Sequence, residues 1–125
     1  MPYKNTPYPI PSAFAGNAIN MDITVLKSNS LPYDLTGVTN ISYALAVSAG
    51  SSALVTKTIA DGGIVVTDAV NGKFEVSLVE SDTSKLVTGN FPVMYYQEAL
   101  LVDITGEPVT CYAGNLVLYP ATLKA

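Results

Sequence analysis

From Ala18 onward, apolar residues recur at every second position in short runs, and turn-forming residues close each run. The cleanest run has Phe74, Val76 and Leu78 alternating with Lys73, Glu75 and Ser77. A period of two sends the two sets to opposite faces of a pleated strand, so such a run reads as a half-buried strand. Ile19, Met21, Ile23 and Val25 repeat the pattern, as do Ile41, Tyr43, Leu45 and Val47. Residues 54–59 and 64–67 are shorter runs rich in β-branched side chains, and 91–103 form a long one. Residues 109–112 and 116–119 read as two final strands, with Pro120 as the stop. Gly50, Asp61-Gly62-Gly63, Asn71-Gly72 and Thr105-Gly106 supply the turns. The only helical signal is a turn at 81–86, where Ser81 or Asp82 suits the cap.

This pattern predicts an all-β chain: an immunoglobulin-like antiparallel β-sandwich of seven to eight strands over residues 17–125. A length of 125 residues fits one domain. A chain of that size buries enough surface for a core without disulfides or metals.

Residues 1–16 are of another kind. Pro2, Pro7, Pro9 and Pro11 remove backbone donors and fix extended geometry, which predicts an N-terminal arm and not a sheet interior. Tyr3, Tyr8, Ile10 and Phe14 are interleaved with them. Unstructured tails are ordinarily charged and polar, whereas Lys4 is the only charge here. The arm is therefore expected to dock, with these four side chains against a different polypeptide. Folding back along its own domain is the alternative.

The long run carries a second expectation. Tyr95, Ala99 and Leu101 fall on one face and Met94, Tyr96, Leu100 and Val102 on the other. A strand in a two-layer sandwich is ordinarily polar on its outer side. The second set calls for cover, from a neighbouring subunit or from elsewhere in this chain.

Charged residues make up 13% of the chain, against about 25% in ordinary proteins. Neutral surface is easier to bury in an interface. The six lysines are scattered, outnumbered by ten carboxylates and unaccompanied by arginine. Nucleic-acid binding needs clustered cations, so no nucleic-acid partner is expected. The single Cys111 allows no internal disulfide and reads as a small apolar strand residue. Residues 1–11 lack the apolar core of a signal peptide, and the run 99–102 is far short of the roughly 20 residues that span a bilayer. A soluble chain made in a reducing compartment is expected, without a membrane partner.

Catalytic residues are not expected. With no histidine, the commonest general base and the usual zinc ligand are missing, and Cys111 has no imidazole to ionise it. Glu75, Glu80, Asp82 and Glu98 are candidates for a carboxylate pair, but each reads more simply as a solvated or capping acid. Asp61, Asp68 and Asp103 lie in turns, which favour Asp without any calcium. Asn40-Ile41-Ser42 matches a glycosylation triplet inside a predicted strand and is treated as chance. No cofactor or metal is called for.

The order of motifs from 34 to 120 adds a resemblance. Asp34-Leu35-Thr36-Gly37 precedes an alternating strand, and 72–78 lead into Ser81-Asp82-Thr83-Ser84-Lys85-Leu86. Gly89-Asn90-Phe91 opens a long strand ending in Asp103-Ile104-Thr105-Gly106, and Tyr112-Ala113-Gly114-Asn115-Leu116-Val117-Leu118 closes the series. This series resembles the immunoglobulin-like N-terminal domain of phage baseplate upper proteins and related tail and head-fibre modules. The resemblance implies a non-enzymatic virion structural protein, made in the host bacterial cytoplasm. It would be an adaptor or decoration subunit of baseplate or tail, neck or capsid surface. Its partners would be other virion proteins, in a homo-oligomeric or symmetric assembly. The alternative is a carbohydrate-binding β-sandwich used in host-surface recognition, since eight tyrosines offer aromatic platforms. An adhesin-like or surface-layer domain is a third reading.

Overall fold

A computed structural model describes residues 12–120. The described chain is all-β, with one helical turn. In order it runs β1 (Ser12–Phe14), β2 (Ile19–Thr24), β3 (Asn40–Ala46), β4 (Val55–Thr58), β5 (Ile64–Asp68), β6 (Lys73–Leu78), α1 (Glu80–Thr83), β7 (Val93–Val102) and β8 (Pro108–Tyr119). Two sheets form, with strand orders β1-β8-β7-β3-β4 and β2-β6-β5. Every pairing is antiparallel except β1 with β8.

The period-two pattern does its expected work at β2 and β6. Ile19, Met21 and Ile23 lie opposite Leu78, Val76 and Phe74, so both apolar sets share one face. From the other sheet, Ile41, Tyr43, Leu45, Tyr95, Ala99, Leu101, Leu116 and Leu118 join them in a single buried cluster. Burying these side chains is the main source of stability.

Two local devices hold the layers together. Asp82 of α1 accepts the Val79 amide at 2.7 Å, which closes the first turn. It also pairs with Lys57 of β4 at 2.9 Å, tying the turn after β6 to the edge of the other sheet. Thr83 is fully buried, and its hydroxyl accepts the Gly16 amide at 3.0 Å.

Three departures from the sequence reading have physical causes. Residues 109–112 and 116–119 belong to one strand, because Ala113, Gly114 and Asn115 continue the ladder opposite Glu98, Gln97 and Tyr96. A bulge takes up the extra residue, Cys111, whose thiol donates to the Ala99 carbonyl at 3.4 Å. Val47 was expected to point inward, but β3 ends at Ala46 as the chain bends, and Val47 is left 64% exposed. Residues 12–14, read as part of the arm, add an edge strand to the larger sheet, and the Ala15 amide donates to the Tyr119 carbonyl at 2.9 Å.

Candidate interaction face

The outward sides of the two sheets differ in chemistry. On the three-stranded sheet, the outward residues of β2 and β6 are Asn20, Asp22, Thr24, Lys73, Glu75 and Ser77. Three of these six are charged, and β5 adds the exposed Val65 to the same side. On the five-stranded sheet, the pairings set out rows that are almost uncharged. Met94 lies beside Val117, Tyr96 between Ala46 and Asn115, and Glu98 between Ala44 and Ala113. Leu100 lies between Ser42 and Thr110, and Val102 between Asn40 and Pro108. Thr56 and Thr58 extend the face on β4, while Val117 and Tyr119 continue it beside β1. Among the described residues, Glu98 is the only charged one on this face.

The expected site residues divide between this face and the N-terminal segment. Met94, Tyr96, Leu100 and Val102 share the outward side of β7, with Met94 52% and Leu100 36% exposed and the other two half-buried. Phe14 lies on its own domain beside Tyr119, ring centroids 6.1 Å apart and planes tilted by 50°. Both rings keep about half their surface in solvent. Tyr3, Tyr8 and Ile10 lie outside the described residues.

Residue alternation could not find Tyr119, Val117, Ala44 and Ala113 as members of this face, because that depends on which strand pairs with which. By residue type alone Glu98 reads as a candidate catalytic acid. Its outward position was readable from the alternation of β7.

The four weighed carboxylates are not gathered together. Glu75 and Glu98 point outward from different sheets, Glu80 is exposed at the start of α1, and Asp82 is engaged by Lys57. Among the described residues, no group of three or more histidine, cysteine or acidic side chains is placed to hold a metal ion. Asp61 and Asp103 are held below the usual carboxylate range by hydrogen bonds within their own turns. Asp61 accepts the Gly63 amide at 2.8 Å and the Thr58 amide at 3.1 Å. Asp103 accepts the Thr105 hydroxyl at 2.6 Å and the amides of Thr105 and Glu107 at 2.9 Å.

A concavity of about 340 Å³ lies between the β2–β3 connection and the β7–β8 hairpin. Lys27, Tyr33, Asp34, Thr36, Val38, Asp103 and Ile104 line it. The Asp34 carboxyl is held below its usual pKa first by the Thr36 side chain and then by the Thr36 amide, which donates to it at 2.8 Å. The Tyr33 hydroxyl is pushed upward, first by burial and then by the charge of Asp103.

Comparison with protein-family models and with curated proteins finds no match for this sequence. The functional reading therefore rests on the chain's own residues.

Proposed function

We propose that this chain is a non-enzymatic structural subunit of a phage particle, an adaptor or decoration module that docks on a neighbouring virion protein through the outer face of its five-stranded sheet. The observation that carries the docking reading is the contrast between the two outer faces, one bearing Asp22, Lys73 and Glu75 and the other, among the described residues, Glu98 alone. Interface cores are depleted in charge and enriched in Tyr and Met, and this face presents Tyr96, Tyr119 and Met94. The phage assignment comes from the motif order between 34 and 120.

An immunoglobulin-like sandwich is the finer fold reading that suits these strands. The order β2-β6-β5 against β8-β7-β3-β4, with β1 parallel to β8, is the arrangement such domains use. The Tyr95 hydroxyl, near the start of β7, donates to the Leu86 carbonyl in the connection from β6. That contact has the form of the tyrosine corner of these folds.

The test is a pair of aspartates on the face, Tyr96→Asp with Leu100→Asp. The folded monomer should survive, because both side chains point outward, while incorporation into purified particles is lost. Quantitative mass spectrometry reads the copy number. Loss of monomer folding would place these residues in an internal core. Specific binding on a glycan array, abolished by Tyr33→Ala and untouched by the aspartate pair, would favour the carbohydrate-binding alternative at the concavity beside Tyr33.

A further inference from the structure

We propose that the partner covering the five-stranded sheet is a different polypeptide that presents a lysine or arginine side chain to Glu98, an inference that rests on the docking role above. Glu98 is the sixth of ten residues in β7, and β7 is the central strand of the five. The carboxylate thus stands in the middle of the face, where a docked surface excludes water most completely. Covering a carboxylate without a counter-charge is strongly unfavourable. A cation brought to that point by the partner offsets this cost directly, and among the described residues the neutral sheet around Glu98 supplies none of its own.

The surroundings of Glu98 suit such a visitor. Its neighbours across the sheet on both sides are alanines, Ala44 and Ala113, so the sheet is low beside it. A hollow of about 230 Å³ opens there, walled by Glu98, Leu100, Ser42 and Ala44. Lysine and arginine have apolar stems and charged heads. The stem would lie on Leu100 and Ala44 and the head on the carboxylate. Among the described residues, Glu98 makes no ion pair or side-chain hydrogen bond, and Lys57, the one paired lysine, is held by Asp82.

A second copy of this chain is a poor occupant. Among the described residues the face holds no lysine, so two copies meeting face to face would bury two carboxylates with no described cation between them. The occupant is instead a neutral or apolar surface carrying a basic residue.

The test replaces the chain in assembling particles with Glu98→Gln or Glu98→Lys and counts copies by mass spectrometry. The neutral variant should lower occupancy by at least about tenfold, as loss of a buried charged pair does. The reversed charge should abolish occupancy, and both isolated variants should melt with the wild type. Second-site revertants of Glu98→Lys should change a lysine or arginine of another virion protein to an acid. Entry of Glu98→Lys at normal copy number would overturn the inference while leaving docking intact. Revertants confined to Lys4 or Lys124 of this chain would overturn it in favour of a second copy. Absence of the wild-type chain from particles would remove the docking role itself and this inference with it.

Discussion

The Tyr43 hydroxyl donates to Oε1 of Gln97 at 2.7 Å, inside the core between the sheets. The Gln97 amide then donates to the Tyr112 hydroxyl at 3.0 Å, so one chain of hydrogen bonds links β3, β7 and β8. Gln97 is fully buried, and burial holds the Tyr43 hydroxyl far above its usual pKa, so it remains a donor throughout the ordinary pH range. Gln97→Leu should cost about 1–3 kcal/mol, because two buried hydroxyls lose their partner. Adding Tyr43→Phe should recover part of that loss. A double-mutant cycle in urea measures the coupling, and additive costs would show that the bond contributes nothing.

Phe74 tests the packing of the layers. It is fully buried, opposite Ile23 on one side and Val66 on the other. Phe74→Ala should destabilise the domain by about 3–5 kcal/mol in denaturant unfolding. A variant that unfolds at the wild-type denaturant concentration would disprove the core position.

The contrast between Phe74 and Gln97 shows what the sequence makes legible. Phe74 stands in a local alternation, and a period of two is readable within six residues. Gln97 holds an inward position of β7 that the alternation predicts, but its polarity makes sense only beside Tyr43 and Tyr112, which lie 54 and 15 residues away. The interaction face divides in the same way. The outward side of β7 was readable, whereas Ala113 opposite Glu98 depends on a register set by the Cys111 bulge. Pairing is non-local, so no window of the sequence contains it. The single strand β8 was missed because Ala113-Gly114-Asn115 has the composition of a turn, and the ten-residue partner β7 overrides that preference.

Gly72 is the least replaceable turn residue. Its φ of +71° lies in the left-handed region, and an added Cβ would come within 2.6 Å of the backbone carbonyl oxygens of Val25 and Tyr33. Gly50 has φ of +83° and open space around it. Gly50→Ala should therefore cost about 1 kcal/mol from conformation alone. Gly72→Ala adds a backbone clash and should cost about 3 kcal/mol or more. Equal melting temperatures for the two variants would contradict the close approach at Gly72.

Acid should weaken the turn between β7 and β8. The Thr105 hydroxyl, and then the Glu107 amide, hold the Asp103 carboxyl below its unfolded value of about 3.9. A depressed folded pKa gives stability that is complete above the unfolded value and is lost as pH falls through the folded one. Wild-type stability should therefore decline below about pH 4. Asp103→Asn should be less stable at pH 7 but flatter in that acid window. Thermal melts between pH 2 and 7 provide the check, and parallel curves for the two proteins would exclude a role for Asp103.

The N-terminal segment separates docking from folding. β1, which follows residues 1–11 in the chain, begins at Ser12 on the edge of the five-stranded sheet. Their four prolines lower the entropy lost when an extended segment is held, and Tyr3, Tyr8 and Ile10 bring apolar area to whatever holds it. Deleting residues 1–11 leaves β1 paired with β8; the melting temperature should stay unchanged if the segment docks on a partner and fall if it folds back along its own domain. Deleting residues 1–14 also removes β1 and the Phe14 ring beside Tyr119, and should lower it. If the segment docks, both truncations fail to enter particles although only the longer one is destabilised. Entry of the 1–11 deletion at the normal copy number would show that the sheet face attaches the chain without help from the arm.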